Sequence, residues 1–451
     1  NRFMLTFPNM YCGIISHSSY PLMGVFNTKM VSPSPNTCLC DSRPSKRQKS
    51  FALSQRWREV QGSGNWENMV QPLHPLLRSE VVRYGEFVNV CYKAFDMNPS
   101  SKDYLTCKYG KRSLFREVGL ANCGYEVTKF IYATPDIDIK TPIQKNSDYD
   151  SRWIGYVAVS SDEETIAQLG RRDIVIAFRG TVSNVEWMAN MMGSLTSAKL
   201  SPSDPREDVK VESGFLSLYN SHETHRRFGL PSCREQLLSE MSRLIRKYQT
   251  EELSITIAGH SMGSSLAKLC AYDVSELGLN KAATGREVPV TVYSFGGPRV
   301  GNLSFKERCQ QLGIKILRIV NVNDPVTKVP GIFFNESSRM VSGDKFELPL
   351  KNVMFSRYHH VGVEVALDFF NLQDPSLAHE LGTYISFLKC PEAFKRTRKS
   401  LQKCSAAEEQ TCFIQKSVNG LLDDLASFIL SRETDYFLHA YLYRFIDNIS
   451  L

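Results

Sequence analysis

Residues 253–272 contain the feature that most constrains the fold, a serine between two glycines where a strand pattern meets a helix pattern. Residues 253–258 alternate as in a buried strand, and 264–272 carry apolar side chains at helical spacing. Between them, Ser261 is flanked by Gly259 and Gly263. The turn from such a strand directly into a helix is so tight that side chains two residues before and after the serine would clash. Both positions therefore need glycine. The pattern predicts a turn that lifts Ser261 to the carboxyl edge of a parallel sheet.

Further strand and helix patterns alternate on both sides of this turn. Strand-like runs occupy 153–159, 174–178, 290–295 and 314–320, and helical patterns occupy 73–95, 234–248 and 266–277. Strands that are separated by helices form parallel sheets, because each crossover helix covers one face of the sheet. The sequence therefore predicts an α/β fold with a mostly parallel central sheet.

The composition excludes several classes of protein. Among the 451 residues, no stretch approaches the roughly eighteen consecutive apolar residues of a membrane-spanning helix. Most of the net charge of +7 lies in residues 1–50, where six Lys/Arg face the single acid Asp41, so the near-neutral remainder does not indicate a nucleic-acid partner. The twelve cysteines form no C-x-x-C pair and no cluster with histidines. They predict neither a metal site nor a disulfide framework, but buried thiols in a reducing compartment.

The first fifty residues have the composition of an organelle transit peptide. They are rich in Ser, Asn, Pro and Thr, poor in acids, and end in the basic run 43–49. They lack the sustained apolar core of a secretory signal. A disordered linker is the alternative interpretation.

Ser261 can be catalytic only if a base and an orienting acid accompany it, because a serine hydroxyl is a weak nucleophile until a base accepts its proton. In a turn of this kind, the nucleophile elbow, the acid and then the histidine follow the serine along the chain. Asp324 fits the acid because it directly follows the strand pattern 314–320. An ordinary Asp-Pro turn is the alternative interpretation of Asp324.

Three histidines downstream of Asp324 are candidates for the base. His359 and His360 precede an apolar stretch, whereas His379 follows a polar loop and opens a final helical pattern. A base at a helix start can reach across to the elbow, which favours His379 over the other two. His260 lies inside the elbow, and we expect it to point away from the serine and to be structural.

An oxyanion hole requires backbone N–H groups near the serine. Met262, the residue after the serine, is expected to supply one of them. The loop after the strand pattern 174–178 offers the second donor at Thr181, through its N–H and its hydroxyl.

A short helix is predicted directly after this loop. Ser-x-x-Glu at 183–186 is a capping box, and the helix that follows carries Trp187, Met188 and Met191. Such a stripe is commonly core. Its position beside the oxyanion loop favours a lid that closes over the site in water and opens at a lipid surface.

Together these motifs resemble those of the class 3 lipases, the family of the fungal triacylglycerol lipases. The shared marks are Phe178-Arg179-Gly180-Thr181 with Trp187 beyond, 214–219, the elbow, Asp324-Pro325-Val326 with Pro330 beyond, and His360-Val361-Gly362-x-Glu364. In that family the histidine of the last motif is not the base. The base lies downstream before a helix, a position that corresponds to His379.

Within the family, the match from Trp57 to about Phe387 is most similar to the plant chloroplast class I phospholipases of the sn-1 type. The resemblance implies an α/β-hydrolase fold with a mostly parallel central sheet and a short helical lid. It implies serine-dependent hydrolysis of sn-1 acyl esters of phospholipids and galactolipids at membrane surfaces in the chloroplast, whether in the stroma, at the thylakoid surface or on plastoglobules. No cofactor or metal is expected, and membrane contact is expected to be peripheral. The alternatives are a triacylglycerol or monoacylglycerol lipase and a non-catalytic lipid-binding protein.

This interpretation predicts four segments. They are a transit peptide or disordered segment over 1–50, a helical extension packed on the core over 51–150, an α/β-hydrolase catalytic domain over 151–390, and a helical extension over 391–451. The last of these does not match the ending expected from the family.

Overall fold

The structure is a computed structural model in which helices pack on both faces of one central sheet. It describes residues 46–134, 152–181, 194–198, 200, 206–222, 231–281, 285–330, 358–370 and 375–390. The strands are β1 (Tyr125–Ala133), β2 (Arg152–Ser160), β3 (Arg172–Phe178), β4 (Leu195–Ser197), β5 (Lys210–Glu212), β6 (Leu253–His260), β7 (Val290–Phe295), β8 (Lys315–Asn321) and β9 (Val363–Leu367). The α-helices are α1 (Lys46–Val60), α2 (Pro75–Ala94), α3 (Leu114–Glu117), α4 (Glu163–Leu169), α5 (Ser213–Asn220), α6 (Cys233–Lys247), α7 (Met262–Glu276), α8 (Leu303–Gln311) and α9 (Leu381–Lys389).

The central sheet has seven strands in the order β1-β2-β3-β6-β7-β8-β9. The pairs β1–β2 and β2–β3 are antiparallel, and every later pair is parallel. The short strands β4 and β5 form a separate antiparallel pair. The mostly parallel sheet that the sequence predicts is therefore confirmed.

Both faces of the sheet are covered, as the continuous apolar strand patterns predict. Because side chains alternate across a strand, Ile174 and Ile176 of β3 face one core cluster and Val175 and Ala177 face the other. The first cluster includes buried residues of α6 and α7, and the second includes those of α2 and α9. The sheet thus separates two hydrophobic cores and leaves its strand ends available for other roles.

Two edge strands were not predicted. β1 adds to one edge of the sheet and β9 to the other. Since β1 pairs with β2 along its length, the predicted division at residue 150 passes between two paired strands, and the chain before it is not purely a helical extension. Residues 1–45 of the predicted segment 1–50 and the whole predicted segment 391–451 lie outside the described residues.

No helix within the described ranges is long and apolar enough to cross a membrane. The described cysteines are all unpaired. Most of them are buried: Cys91, Cys107, Cys233, Cys270 and Cys309.

A buried carboxylate ties four elements together at the amino edge of the sheet. Asp173, at the start of β3, is fully buried. Its Oδ1 accepts hydrogen bonds of 2.7 Å from the hydroxyls of Ser254 and Thr256 on β6. Its Oδ2 accepts bonds of 2.9 Å from Tyr84 on α2 and 2.8 Å from Tyr125 on β1. Four donors therefore replace the water that the carboxylate loses on burial.

Two arginines supply the opposite charge to this carboxylate. Arg83 lies 3.8 Å from the Asp173 carboxylate, and Arg171 bonds to Ser254 and to the Tyr84 hydroxyl. Burial alone would raise the pKa of Asp173, but Arg171, Arg83 and the hydroxyl donors outweigh burial and lower that pKa below its ordinary value.

We expect Asp173→Ala to lower the free energy of unfolding by about 3 to 5 kcal/mol, because it leaves buried donors and cations without their acceptor. Urea titration of the full chain measures this loss. The matched control is Asp162→Ala, which removes an exposed helix cap whose partner, the Thr165 N–H, can be hydrated. If Asp173→Ala lowers the free energy of unfolding no more than Asp162→Ala does, the stabilising role of the buried cluster is contradicted.

The lowered pKa of Asp173 also predicts an acid dependence. The ionised carboxylate stabilises the fold fully above its unfolded pKa of about 4, and that contribution is lost as the pH falls through the lower folded pKa. Asp173→Asn has no such proton to bind. Its unfolding free energy should therefore fall less steeply with decreasing pH than that of the unmodified chain below about pH 4. Equal slopes for the two proteins in this pH range would contradict the stabilising role of the ionised Asp173.

Candidate active site

Ser261 lies in the tight turn between β6 and α7 and has a strained backbone. Its φ of 58° and ψ of −128° belong to a region that residues with side chains rarely adopt. A Cβ on Gly259 would lie 2.2 Å from the Gly263 carbonyl oxygen, and one on Gly263 would lie 2.5 Å from the Arg179 carbonyl oxygen. Because these obstacles are backbone atoms, side chains cannot relieve the clash, and both positions require glycine.

His379 and Asp324 meet Ser261 at the carboxyl edge of the sheet. Asp324 is the N-cap of a 3₁₀ helix, Pro325–Lys328, that directly follows β8. His379 lies between a 3₁₀ turn and the start of α9. Its Nε2 is 2.8 Å from the Ser261 Oγ, and its Nδ1 is 2.7 Å from the Asp324 Oδ2. The structure thus brings together the serine, the acid and the favoured histidine of the sequence analysis.

The hydrogen bonds fix which nitrogen of His379 carries the proton. The Asp324 carboxylate is an acceptor, so His379 Nδ1 carries a proton and donates a hydrogen bond to it. In the neutral imidazole, Nε2 is then the acceptor of the hydrogen bond from the Ser261 hydroxyl. In this form His379 can take the serine proton, and Asp324 can stabilise the imidazolium that results.

Asp324 itself is held by two further donors. Its side chain is fully buried. The Val326 N–H donates to Oδ1 at 2.9 Å, and the Tyr384 hydroxyl on α9 donates to Oδ2 at 2.7 Å. Tyr384 in turn accepts a bond of 3.0 Å from the Asn321 N–H. The phenol therefore joins α9, which begins just after His379, to the segment that carries Asn321 and Asp324.

The expected oxyanion donors lie where the elbow meets the end of β3. Met262 begins α7, and the first N–H groups of a helix have no partner within the helix. Thr181 follows β3, which runs parallel to β6 in register up to the pair Phe178 and Gly259. The Thr181 hydroxyl is buried and has no hydrogen-bond partner among the residues that the structure describes. A substrate oxygen could therefore occupy this position without displacing an internal bond.

His260 does not face Ser261, but it is part of the site. Its Nε2 lies 2.8 Å from the His379 carbonyl oxygen, and its Nδ1 lies 2.7 Å from the Tyr92 hydroxyl. Burial, and next the nearby His379, hold the pKa of His260 well below its ordinary value, so the ring is neutral.

The other two histidine candidates lie before β9. His359 forms an isolated bridge with Gly301 through a backbone bond of 2.8 Å. The pKa of His360 is lowered by burial and then by the neighbouring cations Arg318, Lys268 and Arg299. Such an imidazole sits in a positive environment that disfavours proton uptake, and this argues against His360 as the base.

Two site residues were not anticipated, Tyr92 and Tyr384. Tyr384 lies five residues after His379, in the first turn of α9, so a polar side chain there is a weak signal that the sequence could have given. Tyr92 is 168 residues from His260 along the chain, and its position on the helical pattern carries no signal. The predicted lid residues Trp187, Met188 and Met191 lie outside the described residues. Within the described ranges, no group of His, Cys, Asp and Glu could hold a metal ion.

Comparison with known proteins gives a consistent family. Residues 175–334 match the family model Lipase (class 3). The chain is 59% identical over 347 residues to galactolipase DONGLE, chloroplastic, of Arabidopsis thaliana, covering 77% of this chain and 72% of that protein. It is 59% identical over 338 residues to phospholipase A1-Ialpha2, chloroplastic, of the same plant, covering 74% and 69%. It is 54% identical over 351 residues to phospholipase A1 EG1, chloroplastic/mitochondrial, of Oryza sativa subsp. indica, covering 77% of each.

The hydrogen-bonded arrangement predicts how Ser261 reacts with a fluorophosphonate, a probe that requires an activated serine but no particular substrate. Asp324→Asn should slow labelling by roughly 10⁴-fold, because an amide favours the His379 tautomer that cannot accept the serine proton. Tyr384→Phe keeps the carboxylate and should slow labelling much less. Stopped-flow or gel-based labelling rates measure both, and equal rates in Asp324→Asn and the unmodified chain would contradict the assigned arrangement.

Proposed function

Because the chain belongs to the class 3 lipase family, we propose that it hydrolyses sn-1 acyl esters of phospholipids and galactolipids. The observation that carries the proposal is the continuous hydrogen-bonded series Ser261–His379–Asp324 at the carboxyl edge of the sheet. Relatives that are named galactolipase and phospholipase A1 support the polar lipid class.

The geometry supports a two-step reaction. Ser261 Oγ attacks the ester carbonyl carbon while His379 Nε2 takes its proton, and the carbonyl oxygen becomes an oxyanion held by the Thr181 and Met262 N–H groups. When this intermediate collapses, the bond to the glycerol oxygen breaks and His379 donates its proton to that oxygen. The acyl group then remains on Ser261.

Water completes the cycle by the same route. His379 takes a proton from a water molecule, whose oxygen attacks the acyl carbon. Collapse of the second intermediate returns the proton to Ser261 Oγ and releases the free fatty acid. Asp324 keeps its charge throughout and stabilises the imidazolium in both steps.

The site of action that we propose is the plastid, with peripheral contact at a lipid surface. The names of the relatives include the word chloroplastic, and residues 1–50 have the acid-poor composition of a transit peptide. The predicted lid with Trp187, Met188 and Met191 would supply the apolar contact.

The test compares the full chain with Ser261→Ala on monogalactosyldiacylglycerol, phosphatidylcholine and triacylglycerol, each labelled in the sn-1 acyl chain. Serine-dependent release from the polar lipids supports the proposal, and Ser261→Ala should lose roughly 10⁴-fold or more in rate. Release from triacylglycerol alone would point to a storage-lipid lipase. No release by a demonstrably folded chain would point to a non-catalytic lipid-binding protein.

A further inference from the structure

A hydrogen-bonded series links the oxyanion loop to the backbone of the proposed base. The Gly180 N–H donates to the Tyr92 hydroxyl at 2.7 Å, and that hydroxyl lies 2.7 Å from His260 Nδ1. His260 Nε2 lies 2.8 Å from the His379 carbonyl oxygen. The series begins one residue before Thr181, passes one residue before Ser261 and ends on His379.

The direction of each bond follows from the groups involved. The Tyr92 oxygen accepts from Gly180, so its single proton is free to point at His260 Nδ1. The His379 carbonyl oxygen can only accept, so His260 carries its own proton on Nε2. Both bonds are satisfied together only by a neutral His260, and burial supports that state by lowering the pKa of this imidazole.

Packing around the series leaves little freedom of movement. A Cβ on Gly180 would lie 2.6 Å from the Tyr92 hydroxyl and 2.8 Å from the Ser261 Cβ, so the oxyanion loop and the elbow are in direct contact. The rings of His260 and His379 are 4.7 Å apart between centroids. The His260 side chain is 5% exposed. Displacement of the Tyr92 hydroxyl would therefore disturb the loop, the elbow and the base at once.

We infer that Tyr92 and His260 are positioning residues that hold the oxyanion loop and the His379 backbone in register with Ser261. The hydrogen bonds of the two side chains go to each other and to the backbone groups of Gly180 and His379, not to the reacting atoms. The two side chains act through the backbone beside the reacting groups, since Gly180 precedes a proposed oxyanion donor and the His379 carbonyl anchors the residue whose ring is held by Asp324. This inference rests on the proposed ester hydrolysis and adds the residues that set its geometry.

A positioning role has a kinetic signature that distinguishes it from a purely structural one. A shift of the base or of the oxyanion donors by about 1 Å weakens interactions made in the transition state, with losses of up to roughly 10²-fold. Interactions with the bound lipid are largely unaffected, so kcat falls while KM changes little.

The experiment uses Tyr92→Phe in the full chain and measures kcat and KM on the lipid that the unmodified chain hydrolyses, together with the fluorophosphonate labelling rate of Ser261. We expect kcat and the labelling rate to fall by about 10- to 100-fold, with KM within about twofold. The matched control is Tyr156→Phe, since Tyr156 is also buried and its hydroxyl donates a single bond of 2.8 Å to the Phe87 carbonyl oxygen, within the core. The control should lower Tm and leave kcat within about twofold of the unmodified value.

A second variant covers the case in which Tyr92→Phe does not fold. His260→Asn can still accept the Tyr92 proton through its side-chain oxygen, but it is too short to reach the His379 carbonyl. It should show the same loss of kcat with KM retained. A folded variant of either kind with unmodified kcat and labelling rate overturns the inference, as does an equal loss of kcat in Tyr156→Phe.

The labelling rate separates this inference from the proposed function. If the unmodified chain releases no fatty acid from any lipid but still reacts with the fluorophosphonate, the lipid assignment fails while the role of Tyr92 is still decided by its labelling rate. If lipid is hydrolysed and Tyr92→Phe labels at the unmodified rate, only the positioning role fails.

Discussion

The site depends on one steric constraint, the tight turn between β6 and α7. The turn holds Ser261 at a φ of 58° and allows the chain to pass so close to itself that Gly259 and Gly263 have no room for a side chain. A strained backbone persists only where the surrounding structure determines it. Here β6 and α7 are buried along almost their whole lengths. The strain is thus held by two core elements, and the serine side chain is left to face the edge of the sheet.

Two buried aspartates in this protein are satisfied in a similar way but serve different ends. Asp173 and Asp324 are both fully buried, and each accepts at least one tyrosine hydroxyl. Asp173 also faces arginines, which match its charge permanently. The hydrogen-bond partners of Asp324 among the described residues are a backbone N–H, a phenol and an imidazole, none of which carries a permanent positive charge. Its charge therefore remains available to stabilise an imidazolium on His379.

The sequence predicted the parts of the molecule whose physics is local. The strands of the buried sheet centre were predicted because they are apolar over their whole length, and β7 has the expected bounds. The edge strand β1 was missed because only three of its nine residues are buried, Tyr125, Ile131 and Ala133, and β9 was missed because it is five residues long. Ser261, Asp324 and His379 were predicted from the order serine, acid, histidine that follows a nucleophile elbow along the chain. Tyr92 was missed because its partners, Gly180 and His260, lie 88 and 168 residues away, so only the fold brings them together.

Helix α2 connects the amino edge of the sheet, where Asp173 lies, to the carboxyl edge, where Ser261 lies. Tyr84, in its middle, donates to Asp173 at the start of β3, and Tyr92, near its end, accepts from Gly180 just beyond the end of β3. One helix is therefore fixed to both ends of one strand. Because a helix is stiff over two turns, the charged cluster at the amino edge restricts where Tyr92 can lie at the carboxyl edge. The position of the loop at Gly180 and Thr181 thus depends on contacts at the opposite, amino edge of the sheet as well as on those beside Ser261.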